Sequence, residues 1–313
     1  MPASDRGPSP LRPPTTSFKV EAQLSPIDSD LHPVIHKGRV AVITGAASGI
    51  GRAAARELAK RVAIADWDAE GLNKLAKELA DKYGEANVIA VPTDVSKFED
   101  VVKLRDRVYE AWDEVAVLLN NAAIGIKGTS WHDHDNWKKL MDVNLFGVIN
   151  VQHVFLPSML HQENQSVVIN TGSKQGITNP PGNAAYNAAK AAIKSLTESL
   201  AHELRARPHT NVTAHLFIPG WTFTGLGANK EGAEKPPGAW TPEETVLYML
   251  DRVRSGDFYI LCPDNETRPE VDHLRILWGA GDITEGRPAL SRWHPNYKSL
   301  FEEYMKEGLA ALD

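Results

Sequence analysis

Ser173, Tyr186 and Lys190 lie within one stretch, INTGSKQGITNPPGNAAYNAAK, from Ile169 to Lys190. Tyr and Lys four apart on a helix share a face, one turn from each other. A phenol beside an ammonium is a proton-transfer pair, and a nearby Ser hydroxyl can orient the oxygen that gains or loses the proton. Tyr-x-x-x-Lys alone says little in a chain with seven Tyr, where a surface pair on an amphipathic helix has the same spacing. The setting gives it weight. The apolar run Val167-Val168-Ile169 ends in a polar turn holding Ser173. Then come Pro180-Pro181-Gly182 and an Ala-rich helix that opens with Tyr186. Strand, loop and helix deliver the hydroxyls to the carboxyl end of a strand, where open α/β sheets bind ligands.

A second cluster of chemistry precedes it. Val40-Ala41-Val42-Ile43 reads as a short buried strand, followed by Thr44-Gly45-Ala46-Ala47-Ser48-Gly49-Ile50-Gly51 and a helix over 52–60. The glycines fall where the backbone must turn tightly and let a phosphate come close. The helix start offers free N–H groups and a positive dipole end to a pyrophosphate. The spacing is Gly-x-x-x-Gly-x-Gly rather than Gly-x-Gly-x-x-Gly. A second strand over 62–65 ends in Asp66, a position from which a carboxylate can accept hydrogen bonds from the adenosine ribose and repel a 2′-phosphate. That favours NAD over NADP. Trp67 beside it would flank the adenine or cover the sheet edge.

These groups need a scaffold, and the chain supplies one by alternation. Helices are expected over 69–83, 98–112, 135–160 and 184–207, and strands over 87–91, 115–119, 167–170 and 212–218. Alternating strands and helices imply βαβ units and a parallel sheet. The expected architecture is a Rossmann-type, doubly wound α/β fold. Its sheet is mostly seven-stranded and parallel, with helices on both faces, in a single domain spanning 37–262.

The motifs TGAASGIG, Asp66, Asp94-Val95, NNAA over 120–123, Asn144 in VNLFGV, Ser173, YNAAK and PGWTFT over 219–224 occur in this order. In this the chain resembles the short-chain dehydrogenase/reductase family, over residues 39–262. TGAASGIG and Asp66-Trp67 look most like its NAD-linked branch, which includes 15-hydroxyprostaglandin dehydrogenase.

The resemblance implies an oxidoreductase interconverting a secondary alcohol and a ketone with NAD or NADP. Tyr186 would be the general acid/base. Lys190 would favour its phenolate and bond the nicotinamide ribose. Ser173 would orient the substrate oxygen, and Asn144 would hold a water linking Lys190 to solvent or else satisfy a helix carbonyl. Gly45, Ser48, Gly49, Ile50 and Gly51 would face the pyrophosphate. Asp94 and Val95 would sit at the adenine, Asn120, Asn121 and Ala122 at the adenine-side ribose, and Pro219, Gly220, Thr222 and Thr224 along the nicotinamide. A homodimer or homotetramer pairing the helices 135–160 and 184–207 would follow. Trp221 and Phe223 suggest an apolar pocket for a hydrophobic alcohol or ketone. A dinucleotide-binding sensor or scaffold, or a non-redox enzyme on the same fold, stays open as the alternative.

The chain departs from the family in three places. Ala123 stands where Gly is usual, and Thr222 where Val is usual. From Gly51 to Asp66 is 15 residues, about three fewer than the family's pattern, which predicts a shorter helix or an abrupt strand start. Outside the core, residues 1–36 hold seven of the 20 prolines and read as a flexible extension or an arm on a partner subunit. Residues 225–238 occupy the place of a substrate lid, or are simply a loop. Thr241 and Pro242 mark a helix start, running to 255, with a last strand over 258–261. Residues 263–313 carry Trp278, Trp293, His294, Tyr297 and Phe301 without evident chemistry. They form an extension packing on the same domain or at a subunit interface.

Composition narrows the partners. A net charge of −6 with no basic block argues against nucleic acid and anionic membrane. No apolar run reaches the roughly 18 residues of a membrane span. The lone cysteine, Cys262, fits a reducing, cytoplasmic setting and reads as core filler. His132-Asp133-His134-Asp135 has no standard metal spacing and reads as a solvated helix start, so no metal is expected.

Overall fold

Apolar runs bounded by turns become the strands of one sheet in the computed structural model, which describes residues 32, 34–36, 38–58, 61–227 and 234–311. The strands are β1 Val40–Thr44, β2 Arg61–Asp66, β3 Val88–Pro92, β4 Val117–Asn120, β5 Ser166–Thr171, β6 Val212–Ile218 and β7 Tyr259–Leu261. They lie in the order β3-β2-β1-β4-β5-β6-β7, all parallel. The order reverses between β1 and β4, and the crevice of a doubly wound sheet opens at that reversal.

The helices are α1 Gly49–Leu58, α2 Ala69–Tyr83, α3 Phe98–Trp112, α4 His134–Met141, α5 Gly147–Met159, α6 Gln175–Thr178, α7 Ala184–Ala206, α8 Pro242–Arg254, α9 Pro269–Thr284 and α10 Lys298–Ala310. Strand side chains alternate between two faces. Ala41, Ile43, Val62 and Ile64 pack with residues of α1, α2 and α8, such as Ala54, Leu75 and Met249. Val40, Val42, Ala63 and Ala65 pack with residues of α3, α5 and α7, such as Leu104, Phe155 and Leu200. Both faces are covered, which is why the strands read as continuous apolar runs.

Four features differ from the sequence reading. The helix expected over 52–60 starts earlier and ends at Leu58, and β2 begins at Arg61. The strand expected over 115–119 occupies Val117–Asn120. The long helix expected over 135–160 is interrupted by a π-helical turn at Asp142–Phe146. Periodicity cannot show one inserted residue in an apolar helix. Residues 263–311 also form a helical pair. Residues 1–31, most of the expected N-terminal extension, lie outside the described residues, as do 228–233 of the expected lid. The cap of α8 matches expectation. The Thr241 hydroxyl accepts from Glu244 N at 3.1 Å, and the Glu244 carboxylate from Thr241 N at 2.7 Å.

The aromatic residues of the C-terminal segment make its core. The Trp278 indole N–H donates to Ser291 Oγ at 2.8 Å. Phe301 and Tyr304 of α10 meet its ring at centroid distances of 5.3 and 5.1 Å, and the Arg287 guanidinium lies 4.0 Å above it. A buried Trp at such a junction carries most of the docking. Trp278→Ala is expected to lower unfolding stability by about 3–5 kcal/mol in chemical denaturation. A loss below about 1 kcal/mol, the size of a surface change, would contradict this packing role.

Candidate functional site

Close backbone approach creates the first half of the site. A Cβ on Gly51 would lie 2.1 Å from Gly45 O, and one on Gly45 would lie 2.7 Å from Ala122 Cα. Only hydrogen fits at either place, so the turn folds tightly over the end of β4. Thr44 Oγ1 accepts from Asn121 N at 3.1 Å and Ala122 N at 3.2 Å, tying β1 to the residues after β4. Gly49 has φ +51, and a Cβ there would stand 3.1 Å from Thr224 Cγ2. The segment after β6 therefore reaches back to the Gly-rich turn. The turn also opens α1, whose first N–H groups have no partner within the helix.

Asp66 ends β2 beside this turn. Its Oδ2 accepts from Ala47 N and its Oδ1 from Asp68 N, each at 2.9 Å. Two amides fix the carboxylate. The carboxylate borders a cavity of about 1030 Å³, to which Ser48, Trp67, Asp94, Val95 and Ala122 also contribute. Trp67 is 77% exposed and forms an outer flank. Asp94 Oδ1 accepts from Ser96 N at 3.1 Å and Ser96 Oγ at 2.7 Å. Burial alone would raise its pKa, but these bonds and Lys97 hold it below the usual carboxylate value. A volume of this size, beside the Gly-rich turn and edged by a fixed carboxylate, fits a dinucleotide.

Not every expected residue reaches the cavity by its side chain. Asn120 is buried, and its Nδ2 donates to Asn170 Oδ1 at 2.7 Å within the sheet. Asn121 Nδ2 donates to Thr44 O and Gly45 O, both at 3.3 Å. These two asparagines brace the turn, and of the three only Ala122 lines the cavity. Thr222 Oγ1 donates to Gly220 O at 3.3 Å and pairs with Thr245 Oγ1 of α8 at 3.0 Å, so its hydroxyl is turned to the scaffold. Thr224, over Gly49, is the threonine beside the turn.

The second half forms where β5 meets α7. Ser173 follows β5, and its Oγ accepts from Gln175 N at 3.2 Å. Tyr186, in the first turn of α7, is close enough for the Ser173 side chain to act on its acidity. Lys190, one turn on, donates to Thr171 O at 2.7 Å and stands 5.7 Å from the centre of the Tyr186 ring. Gly176 permits this closeness, since a Cβ there would lie 2.5 Å from Lys190 C. Burial pushes the Tyr186 pKa up, and the Ser173 side chain pulls the other way. Burial also pushes Lys190 down to about 8.

Asn144 sits in the π turn, fully buried. Its Oδ1 accepts from Ile124 N at 2.8 Å and its Nδ2 donates to Ile124 O at 2.9 Å. The partner is thus a loop peptide and not the helix carbonyl that the alternative reading expected. Single-turn π insertions are frequent at functional sites. Sequence reasoning missed Thr44, Ile124 and the Thr171 carbonyl. All three act through backbone pairing with residues distant in the chain, which leaves no local pattern.

Elsewhere, the side chains of His134 and Asp135 stand in solvent, 3.7 Å apart. No group of three or more His, Cys, Asp or Glu side chains forms a metal-binding cluster among the described residues. No helix among them is long and apolar enough to cross a membrane. Cys262 is buried, and its thiol is pushed up by burial.

Residues 39–235 match the family described as short chain dehydrogenase. The chain is 31% identical over 274 residues to the CLA biosynthesis dehydrogenase/reductase of Lactiplantibacillus plantarum, covering 86% of this chain and 93% of that one. A short chain dehydrogenase/reductase from Burkholderia phymatum, solved in complex with NAD, aligns with TM-score 0.70 at 32% identity, over 80% of this chain and 96% of that one. An alcohol dehydrogenase from the archaeon Thermococcus sibiricus, complexed with 5-hydroxy-NADP, gives TM-score 0.65 at 28% identity, over 74% and 99%.

The buried ammonium has a measurable consequence. Burial pushes Lys190 down to about 8 in the fold, from the ordinary lysine value of about 10.4. Between those values the unfolded chain binds more protons, so stability rises with pH. Between about pH 7.5 and 10, wild type should gain on the order of 2 kcal/mol relative to Lys190→Met. A difference that stays flat across that window would show that the ammonium is not desolvated as described.

Proposed function

Because the chain belongs to the short-chain dehydrogenase family and is an oxidoreductase of that family, we propose that it interconverts a secondary alcohol and a ketone with NAD. The observation that carries this reading is Tyr186 next to Ser173 and 5.7 Å from the ammonium of the buried Lys190. It stands at the same sheet edge as the Gly-rich turn and Asp66. A protein that only bound a dinucleotide would need the turn but not the acid/base pair.

The dinucleotide would be held by the turn from Gly45 to Gly51, by Asp66, by Asp94 and Val95, by Ala122, and by the segment from Pro219 to Thr224. When bound, its nicotinamide supplies the hydride acceptor or donor. Asp66 supports NAD over NADP, because a 2′-phosphate would stand against a fixed carboxylate. The likeness to the branch that includes 15-hydroxyprostaglandin dehydrogenase rests on this residue, Trp67 and the turn. We extend it to cofactor choice and not to substrate.

In the oxidation direction Tyr186 takes the proton of the substrate hydroxyl, and in reduction it returns one to the carbonyl oxygen. Ser173 donates to that oxygen and keeps it in line with the phenol. Lys190, mostly charged at pH 7 with its pKa near 8, offsets charge that develops on Tyr186. Asn144 keeps the Ile124 loop in place, and a water at this turn would pass protons from Lys190 to solvent. Ile124 and Ile126 line the cavity, with Gly125 close under Leu226, which supports a hydrophobic alcohol or ketone. The same reading includes a cytoplasmic setting and a homodimer or homotetramer through the helices at 135–160 and 184–207.

Two measurements test this. Tyr186→Phe should retain NADH binding and lose at least about a hundredfold in NADH production from secondary alcohols. Full activity in that variant would remove Tyr186 from the chemistry. Binding of dinucleotide with no turnover by wild type would leave a sensor or scaffold. In a titration, wild type should bind NADH more tightly than NADPH, and Asp66→Ala should narrow the difference. An unchanged preference would move cofactor selection to other residues.

A further inference from the structure

Three loops leave the carboxyl edge of the sheet after β5, β6 and β7, and they are joined by one ion cluster around Lys174 and Asp264. Lys174 directly follows Ser173. Its Nζ lies 2.5 Å from Asp272 Oδ2 and 3.4 Å from Asp264 Oδ2. The three side chains are only 18%, 4% and 6% exposed, in the order Lys174, Asp272, Asp264. Asp264 Oδ2 also accepts from Trp221 N at 3.0 Å, and its Oδ1 accepts from Glu266 N at 3.1 Å. Gly220 presses on the same place, since a Cβ there would stand 2.6 Å from Pro263 O. Asp272 belongs to α9, which packs against α6, the short helix that Lys174 begins.

The backbone of Lys174 is fixed as firmly as its tip. Its carbonyl accepts from Ile177 N at 3.1 Å, Thr178 N at 2.9 Å and Thr178 Oγ1 at 3.0 Å. The Ser173 carbonyl accepts from Gly176 N at 3.0 Å. A displacement of the ammonium is therefore passed to a rigid turn, one residue from the Ser173 hydroxyl. The opposite anchor, Asp264, holds the start of the Trp221–Thr224 segment. If the chain's C-terminal helices served only to cover the surface, α9 would need no buried carboxylate aimed at this turn.

We infer that Lys174 is a positioning residue. Clamped by Asp264 and by Asp272 of α9, it sets the Ser173 hydroxyl in register with the Pro219–Thr224 segment and makes the C-terminal helices part of the active-site frame. This rests on the reading of Ser173 as the group that orients the substrate oxygen. Removing one partner would strand a buried charge and could unfold the chain, whereas removing both is often close to neutral for stability. Asp264 keeps its two amide donors in either case.

The test is Lys174→Met/Asp272→Asn, measured beside wild type and Lys174→Arg. The double variant should bind NADH within about twofold of wild type, yet its kcat on a secondary alcohol should fall about tenfold or more, the cost of a misplaced reacting group. Lys174→Arg keeps a cation between the carboxylates and should retain most of the kcat. Hydrogen exchange in the double variant should speed up together in residues 172–178 and 219–224, with 40–58 unchanged. A kcat close to wild type in the double variant overturns the assignment, as does an arginine variant as slow as the double variant. The exchange measurement needs no substrate. If wild type turns over no alcohol, the dehydrogenase reading fails on its own, and unaltered exchange in both segments would still sink the clasp.

Discussion

A lysine ammonium taken wholly out of water is the costliest group at this site, and much of the local structure follows from accommodating it. Moving an ion of this size into a protein interior costs several kcal/mol even after relaxation. Lys190 offsets part of that with one hydrogen bond, to the Thr171 carbonyl at the end of β5. To make it, α7 must run close to the strand end, and the turn between them must be thin. Gly176 makes it thin enough. With α7 set at that depth, Tyr186 comes under the Ser173 hydroxyl, and burial raises the phenol just as it lowers the ammonium. The two shifts have one cause.

The dinucleotide half is governed by distance rather than charge. Gly45, Gly51 and Ala122 approach so closely that no side chain fits between their backbones. Asp66 is then caught by the amide of Ala47 in the same turn. This contact spans two strands and ties the carboxylate to the Gly-rich turn. The position of Asp66 is set by the register of β2 on β1 and by that amide, not by the length of the connection.

Much of the fold was readable from pattern because its elements are local. Strands buried on both faces show as apolar runs, and the cap at Thr241 shows as a capping box. Ser173, Tyr186 and Lys190 were readable because strand, turn and helix place them within 18 residues of one another. What stayed hidden depends on pairing across the chain. The inserted residue at Asn144 does not disturb the apolar periodicity around it. The turning of Asn120 into the sheet depends on Asn170, a residue 50 positions away. Trp278, Phe301 and Tyr304 look alike as surface or core until α9 and α10 are folded against each other.

Three charges near this edge are compensated to different degrees, and the difference separates frame from chemistry. The Asp66 carboxylate is met by two amides. The Lys174 ammonium is met by two carboxylates. Each has enough partners to be fixed in place, as a framing group should be. Lys190 has a single neutral carbonyl, and its proton affinity falls until it titrates near 8. A group left under-compensated in this way costs stability but can change its protonation at little further cost. The stronger contacts hold Asp66 and Lys174 still, and the weakly compensated ammonium stands beside the Tyr186 ring.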